Sequence, residues 1–207
     1  MKPSISSAIL LSVLTAAPLL AQAPAGWKVR ADRSTSASDP DAAGTIKFTK
    51  QGSGFHAENP QAAVYWNPAN TATGAYTVKG TFTLQKPSGH NNYYGIVFGG
   101  SDLDNAKQSY TYFLIAQDGS WLVKKREGDA STQNVAPKTP NEAIKKPDAS
   151  GKSTNALEVR VGADKVDFVV NGTVVHSAPK AGMKTDGIYG IRVNHLLDVQ
   201  IDNFGKS

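Results

Sequence analysis

Few side chains in this chain are reactive enough to do chemistry, and their spacing narrows the choice further. The 207 residues include 0 Cys and 4 His, so thiol nucleophiles, disulfides and thiolate metal sites are excluded. His56, His90, His176 and His195 are not spaced as a local metal motif. His90, in Ser88-Gly89-His90-Asn91-Asn92, and His195, in Val193-Asn194-His195-Leu196, both fall in loops and meet only if the fold brings them together. No metal ligands are assigned from spacing and no cofactor is expected, with one reservation. Asp102, Asp104 and Asn105 form an oxygen-rich loop that suits calcium, or simply an Asx-capped turn. The nucleophile elbow Gly-x-Ser-x-Gly and the zinc motif His-Glu-x-x-His are absent.

Short strands must position these groups. Val, Ile, Tyr, Phe and Thr recur in runs punctuated by Gly, Pro, Asn or Asp, from Trp27 to Ala31 through Tyr76 to Leu84, Tyr93 to Gly99 and Tyr110 to Ala116 to Leu197 to Phe204. Asn171-Gly172, between Val166 to Val170 and Thr173 to Ser177, suits a two-residue type I′ hairpin turn because both residues accept positive φ. No amphipathic helix appears, and residues 128 to 153 read as a polar surface excursion. The pattern predicts an all-β fold, an antiparallel sandwich or barrel, formed by residues 24–207 as one domain. Residues 1–23 read as a secretory signal with Lys2, an apolar run and Ala21-Gln22-Ala23, the cleavage falling between 21 and 25. The expected location is therefore secreted or periplasmic, with no membrane anchor. The net charge is +5, but its densest cluster, Lys124-Lys125-Arg126, is too narrow for a nucleic-acid face.

The succession Tyr94-Gly95-Ile96-Val97-Phe98, Tyr110 to Ile115, Asp118-Gly119, Asn155 to Val161, Val170-Asn171-Gly172, Gly187 to Val193 and Asp202-Asn203-Phe204 resembles the concanavalin A-like lectin and glucanase superfamily, in its laminin-G-like bacterial variety. The resemblance covers most of residues 24–207. It implies a jelly roll of two curved antiparallel sheets whose concave face binds a polysaccharide or oligosaccharide. Strand alternation then selects what such a face displays: Glu158 and Arg160 opposite Leu157, Val159 and Val161; Asp198 and Gln200 opposite Leu197, Val199 and Ile201; Gly190 and Arg192 opposite Tyr189, Ile191 and Val193. Arg126, Arg160 and Arg192 carry forks that bridge sugar hydroxyls or a carboxylate. Tyr93, Tyr112 or Trp66, the last at the mouth of a loop, supply rings for the apolar faces of sugars. Tyr93, Gly95, Val97 and Gly99 turn outward, leaving room above the glycines.

The resemblance to the glucanases stops short of their Glu-x-Asp-x-x-Glu strand. The Glu residues are Glu58, Glu127, Glu142 and Glu158, with no two so spaced. A looser resemblance to 3-keto-disaccharide hydrolase domains keeps an enzyme alternative open, a glycoside or keto-glycoside hydrolase using Asp198 or Glu158 with His195. A non-catalytic structural envelope protein is the third reading. A glycan-binding module with carbohydrate as partner is the leading expectation; the sequence leaves the oligomeric state open.

Overall fold

The computed structural model describes residues 23–34, 37–129 and 131–207, so the signal-like segment lies outside the described residues apart from Ala23. Fourteen antiparallel strands form two sheets of seven. The first sheet runs, edge to edge, β1 (Lys28–Ala31), β4 (Ala63–Ala72), β13 (Gly187–Val193), β6 (Tyr93–Ser101), β7 (Ser109–Ala116), β8 (Ser120–Glu127) and β9 (Ser131–Pro140). The second runs β12 (Thr173–Pro179), β11 (Lys165–Val170), β10 (Ser153–Val161), β5 (Tyr76–Lys86), β14 (Leu197–Lys206), β3 (Gly54–Asn59) and β2 (Lys47–Gln51). No helix among the described residues is long and apolar enough to cross a membrane.

Alternation explains why these segments stack. Tyr65, Tyr94, Ile96, Phe98, Phe113, Ile115, Trp121 and Val123 point inward from the first sheet, and Phe48, Val78, Phe82, Leu84, Val159, Phe168, Val199 and Ile201 point inward from the second. Together they make the buried layer between the sheets, where each large side chain contributes about 1.5–3 kcal/mol by leaving water. The Asn171-Gly172 turn forms as expected, with φ of 49° and 84°.

The excursion expected at 128–153 is not all loop. It contains β9, a polar edge strand that pairs on one side with β8 and carries Pro137 and Pro140. Prolines are tolerated there because an edge strand leaves half its backbone groups outside the ladder. Ala136 and Ile144 of the same segment are buried in the core. Strand β4 is likewise longer than expected and continues through Asn67-Pro68 to Ala72.

Candidate functional site

The outer face of the first sheet is set by two cross-strand rows. One runs Lys28, Trp66, Gly190, Val97, Tyr112, Lys124, Asn134; the next runs Arg30, Val64, Arg192, Gly95, Leu114, Leu122. Five of the six residues expected to bind ligand, Trp66, Tyr93, Tyr112, Arg126 and Arg192, therefore share this face. An outer face would ordinarily be wet, yet Val64, Trp66, Val97, Tyr110, Tyr112, Leu114 and Leu122 are buried here as a second apolar cluster. Leu103 of the 102–108 turn joins that cluster. Lys28 meets Asp104 at 3.3 Å and Arg30 donates to the Asn105 carbonyl, tying this turn to β1.

Two guanidinia are buried on this face and share one carboxylate. Asp32, just beyond β1, accepts at Oδ2 from Arg126 Nη2 at 2.7 Å and meets Arg192 Nη2 at 2.6 Å. Arg126 also donates to the Asp129 carbonyl at 2.6 Å, and Arg192 donates to the Tyr110 hydroxyl at 3.0 Å. The Arg192 guanidinium carbon lies 5.3 Å from the centre of the Tyr112 ring, within cation–π range. Burial alone would lower the Arg192 pKa, but Tyr110 and Asp32 outweigh it and the group stays above its ordinary value. Burial also raises the Tyr112 phenol, against the pull of Arg192.

Beside this cluster opens a pocket of about 200 Å³. Tyr93, Tyr112, Leu114 and Leu122 give it an apolar side, and Asp39, Asn91, Asn92, Lys124, Arg192 and Asn194 a polar one. Three of these residues carry a buried polar atom with no protein partner: Asn91 Oδ1, Asn194 Oδ1 and Arg192 Nε. Each of these atoms is shielded from solvent, and a buried polar group left unpaired costs about 1–3 kcal/mol.

Several expectations are corrected by the placement. Arg160 is on the outer face of the other sheet, in β10, paired with Glu158 at 2.8 Å, so no single groove contains Arg126, Arg160 and Arg192. Alternation says which side of a strand faces the core but not which sheet the strand joins. Trp66 is not at a loop mouth. It lies within β4, 3% exposed, and like Arg126 it supports the face from below without lining the pocket. The room expected above the glycines is filled by backbone: a Cβ on Gly190 would overlap the Tyr65 carbonyl, on Gly95 that of Phe113, and on Gly99 that of Lys184.

The residues of the hydrolase alternative are not brought together. Glu158 stands opposite Lys79 of β5 and Asp198 opposite Lys86, seven positions along the same strand, or roughly 23 Å at 3.3 Å per residue. Paired glycosidase carboxylates stand at most ~9.5 Å apart. Asp198 meets His56 at 2.6 Å, and His195 bonds neither Asp198 nor Glu158 but meets Asp39 at 3.0 Å and Asp41 at 3.1 Å. Asp198 does face Glu58 in register, within an open depression of about 530 Å³ on the second sheet. The hydrogen bond from Lys47, at 2.9 Å, holds the Glu58 carboxyl below its ordinary value, the wrong direction for a general acid. In the loop considered for calcium, Asp102 takes a positive φ of 54° and the Asp104 carboxylate is turned to Lys28.

Asp32, Asn91 and Asn194 carry no site signal in the sequence, and Lys124 stands out there only as part of the basic cluster Lys124-Lys125-Arg126. Asp32 follows a short strand in a polar stretch, and only the burial of two arginines from distant strands gives it meaning.

No family model matches the chain, and no curated protein matches it in sequence. Among solved structures it is similar to the carbohydrate-binding module CBM66 from Bacillus subtilis, with a TM-score of 0.62 and 13% identity over 88% of this chain and 95% of that one. A protein of unknown function with a galectin-like fold, also from Bacillus subtilis, matches with a TM-score of 0.58 and 10% identity over 87% and 88%. The carbohydrate recognition domain of Emp46p matches with a TM-score of 0.54 and 12% identity over 85% of each chain. At such identities the likeness is one of fold, and the fold is an antiparallel jelly-roll β-sandwich.

Proposed function

We propose that the protein is a secreted or periplasmic glycan-binding module whose site is the pocket on the outer face of the first sheet. The observation that carries the reading is that the Tyr93 and Tyr112 rings and the polar side chains of Asn91, Asn194, Lys124 and Arg192 line one pocket. A sugar ring offers apolar C–H faces to aromatic rings and hydroxyls to donors and acceptors, and this combination matches both. A pocket of about 200 Å³ is smaller than the roughly 300–1,000 Å³ that holds a drug-sized ligand. It therefore takes one sugar unit, at the end or side branch of a longer glycan. Similarity to a carbohydrate-binding module and a carbohydrate recognition domain supports the sugar class, and the signal-like residues 1–23 support the location.

Binding is favoured over hydrolysis because the carboxylates suggested for catalysis are separated and each is engaged by its own basic side chain, Asp198 by His56 and Glu158 by Arg160. A glycan array followed by calorimetry on the hits tests the proposal. Saturable binding without sugar release, weakened at least tenfold by Tyr93→Ala and by Asn194→Ala, is the expected result. Release of free sugar from a bound glycan would point to the hydrolase, and absence of binding across a broad panel to a structural role.

A further inference from the structure

At the rim of the same pocket, three side-chain atoms from three loops converge. Asp39 Oδ1 lies 2.8 Å from His90 Nε2 and 3.0 Å from His195 Nε2, and the two imidazole nitrogens lie 3.0 Å apart. If both Nε2 atoms carried protons to donate to Asp39, two N–H groups would be aimed at one centre, 3.0 Å apart. The Asn92 amide nitrogen also lies 3.0 Å from His90 Nε2. A carboxylate oxygen and two imidazole nitrogens within 3.0 Å of one another form a donor set that a cation satisfies. We propose that Asp39, His90 and His195 bind a divalent transition-metal ion, zinc by preference.

The chemistry of the donors selects the ion. Two imidazoles and one carboxylate suit zinc, whereas calcium and magnesium take oxygen ligands. An ion about 2.1 Å from each donor would sit roughly 1.2 Å above their plane. The 2.8–3.0 Å edges are a few tenths of an ångström short of the ~3.3 Å spanned by tetrahedral zinc ligands, a gap that side-chain rotation closes. All three ligands then lie on one side of the ion, and the other side keeps a position for water or ligand.

The surroundings are those of a built site. His195 is 5% exposed, in a turn fixed by Leu196 in the left-handed region at φ 58° and by its N–H on the Asn59 carbonyl at 2.6 Å. Its other nitrogen, Nδ1, faces Asp41 Oδ1 at 3.1 Å. A carboxylate behind a ligating histidine fixes its tautomer and raises its basicity. Asp41 is held in turn by the Ser34 N–H at 2.8 Å. The metal would fasten the Asp39 and Asp41 segment to the His90 and His195 loops beside the pocket, while its binding is measurable whether or not the pocket takes a sugar.

Chelator-treated full-length protein, titrated with zinc by calorimetry and with cobalt(II) by visible spectroscopy, tests the assignment. The expected result is one zinc per chain with dissociation constant below ~10 μM, and cobalt bands between roughly 500 and 650 nm with the intensity of a tetrahedral site. His90→Ala, at an exposed position that folding tolerates, and Asp39→Asn should each weaken zinc at least ~100-fold, and Asp41→Asn ~10–100-fold, with circular dichroism unchanged. Calcium should not compete. No saturable zinc or cobalt binding at about 100 μM would overturn the proposal, as would binding that persists in His90→Ala and Asp39→Asn.

Discussion

Replacing Asp32 by Asn tests how the face is held together. The substitution keeps the shape and removes the single charge to which Arg126 at 2.7 Å and Arg192 at 2.6 Å both turn. Both guanidinia are buried, with side chains 9% and 8% exposed, so water cannot replace the lost partner. Breaking a buried pair by removing one member costs about 3–5 kcal/mol, because the remaining charge is left uncompensated. Here two charges are left, and only partial relief comes from Tyr110 and the Asp129 carbonyl. At about 2–4 °C per kcal/mol for a chain of this size, the melting temperature should fall by roughly 6–20 °C. Urea unfolding followed by circular dichroism measures the loss directly, and it should persist in 1 M salt since buried pairs are little screened. Removing one cation as well, in Asp32→Asn with Arg126→Met, should recover part of it. A loss below ~1 kcal/mol, the value of an exposed ion pair, would refute the view that Asp32 neutralises a buried arginine pair.

Other outcomes follow from the same structure. Asn155 is fully buried and bonds the Lys145 N–H at 2.8 Å, the Lys145 carbonyl at 3.0 Å and the Asn171 amide at 2.8 Å; Asn155→Ala orphans these groups and should cost about 2–4 kcal/mol in urea unfolding. Gly190→Ala should impair folding or split β13 from β4, since its Cβ would overlap the Tyr65 carbonyl, and a soluble variant with wild-type stability would contradict the close approach. Burial against Trp121 and Phe168 lowers the His176 pKa, so the unfolded chain binds that proton more tightly than the folded one. This contribution to stability is complete above the ordinary histidine pKa of about 6.5 and is lost as pH falls through the lowered folded value. His176→Gln should therefore flatten the urea midpoint between pH 8 and pH 5 relative to wild type. Lys124, which makes no ion pair among the described residues and lines the pocket, should lower glycan affinity when changed to Ala without lowering stability.

Strand identity and facing were largely legible because they are local properties: period-two alternation put Tyr93, Val97, Gly190 and Arg192 on one side and Tyr94, Ile96, Phe98 and Ile191 on the other. The partners of each strand are non-local, and alternation carries no information about them. Arg160 and Arg192 have the same alternation, yet β10 and β13 fall in different sheets. Strand β9 was missed because an edge strand facing water need carry neither apolar alternation nor a continuous apolar run. The sequence allows His90 and His195 to meet through the fold, but their convergence with Asp39 carries no local signal for a related reason. Residues 39, 90 and 195 share no sequence spacing, and the connection between β1 and β2, the loop before β6 and the turn after β13 bring them together. The burial of Trp66 and Arg126 depends on the 102–108 turn and on Asp32, which carry little sequence signal of their own.

The central claim, that a sugar binds in the pocket on the outer face of the first sheet, is tested most directly by mapping amide shifts of labelled protein during titration with the best glycan from the array. Saturable shifts concentrated at Asn91 to Tyr93, Tyr112, Lys124 and Arg192 to Asn194 are predicted. Shifts concentrated at Glu58, Lys86 and Asp198 in the depression on the second sheet would contradict the account.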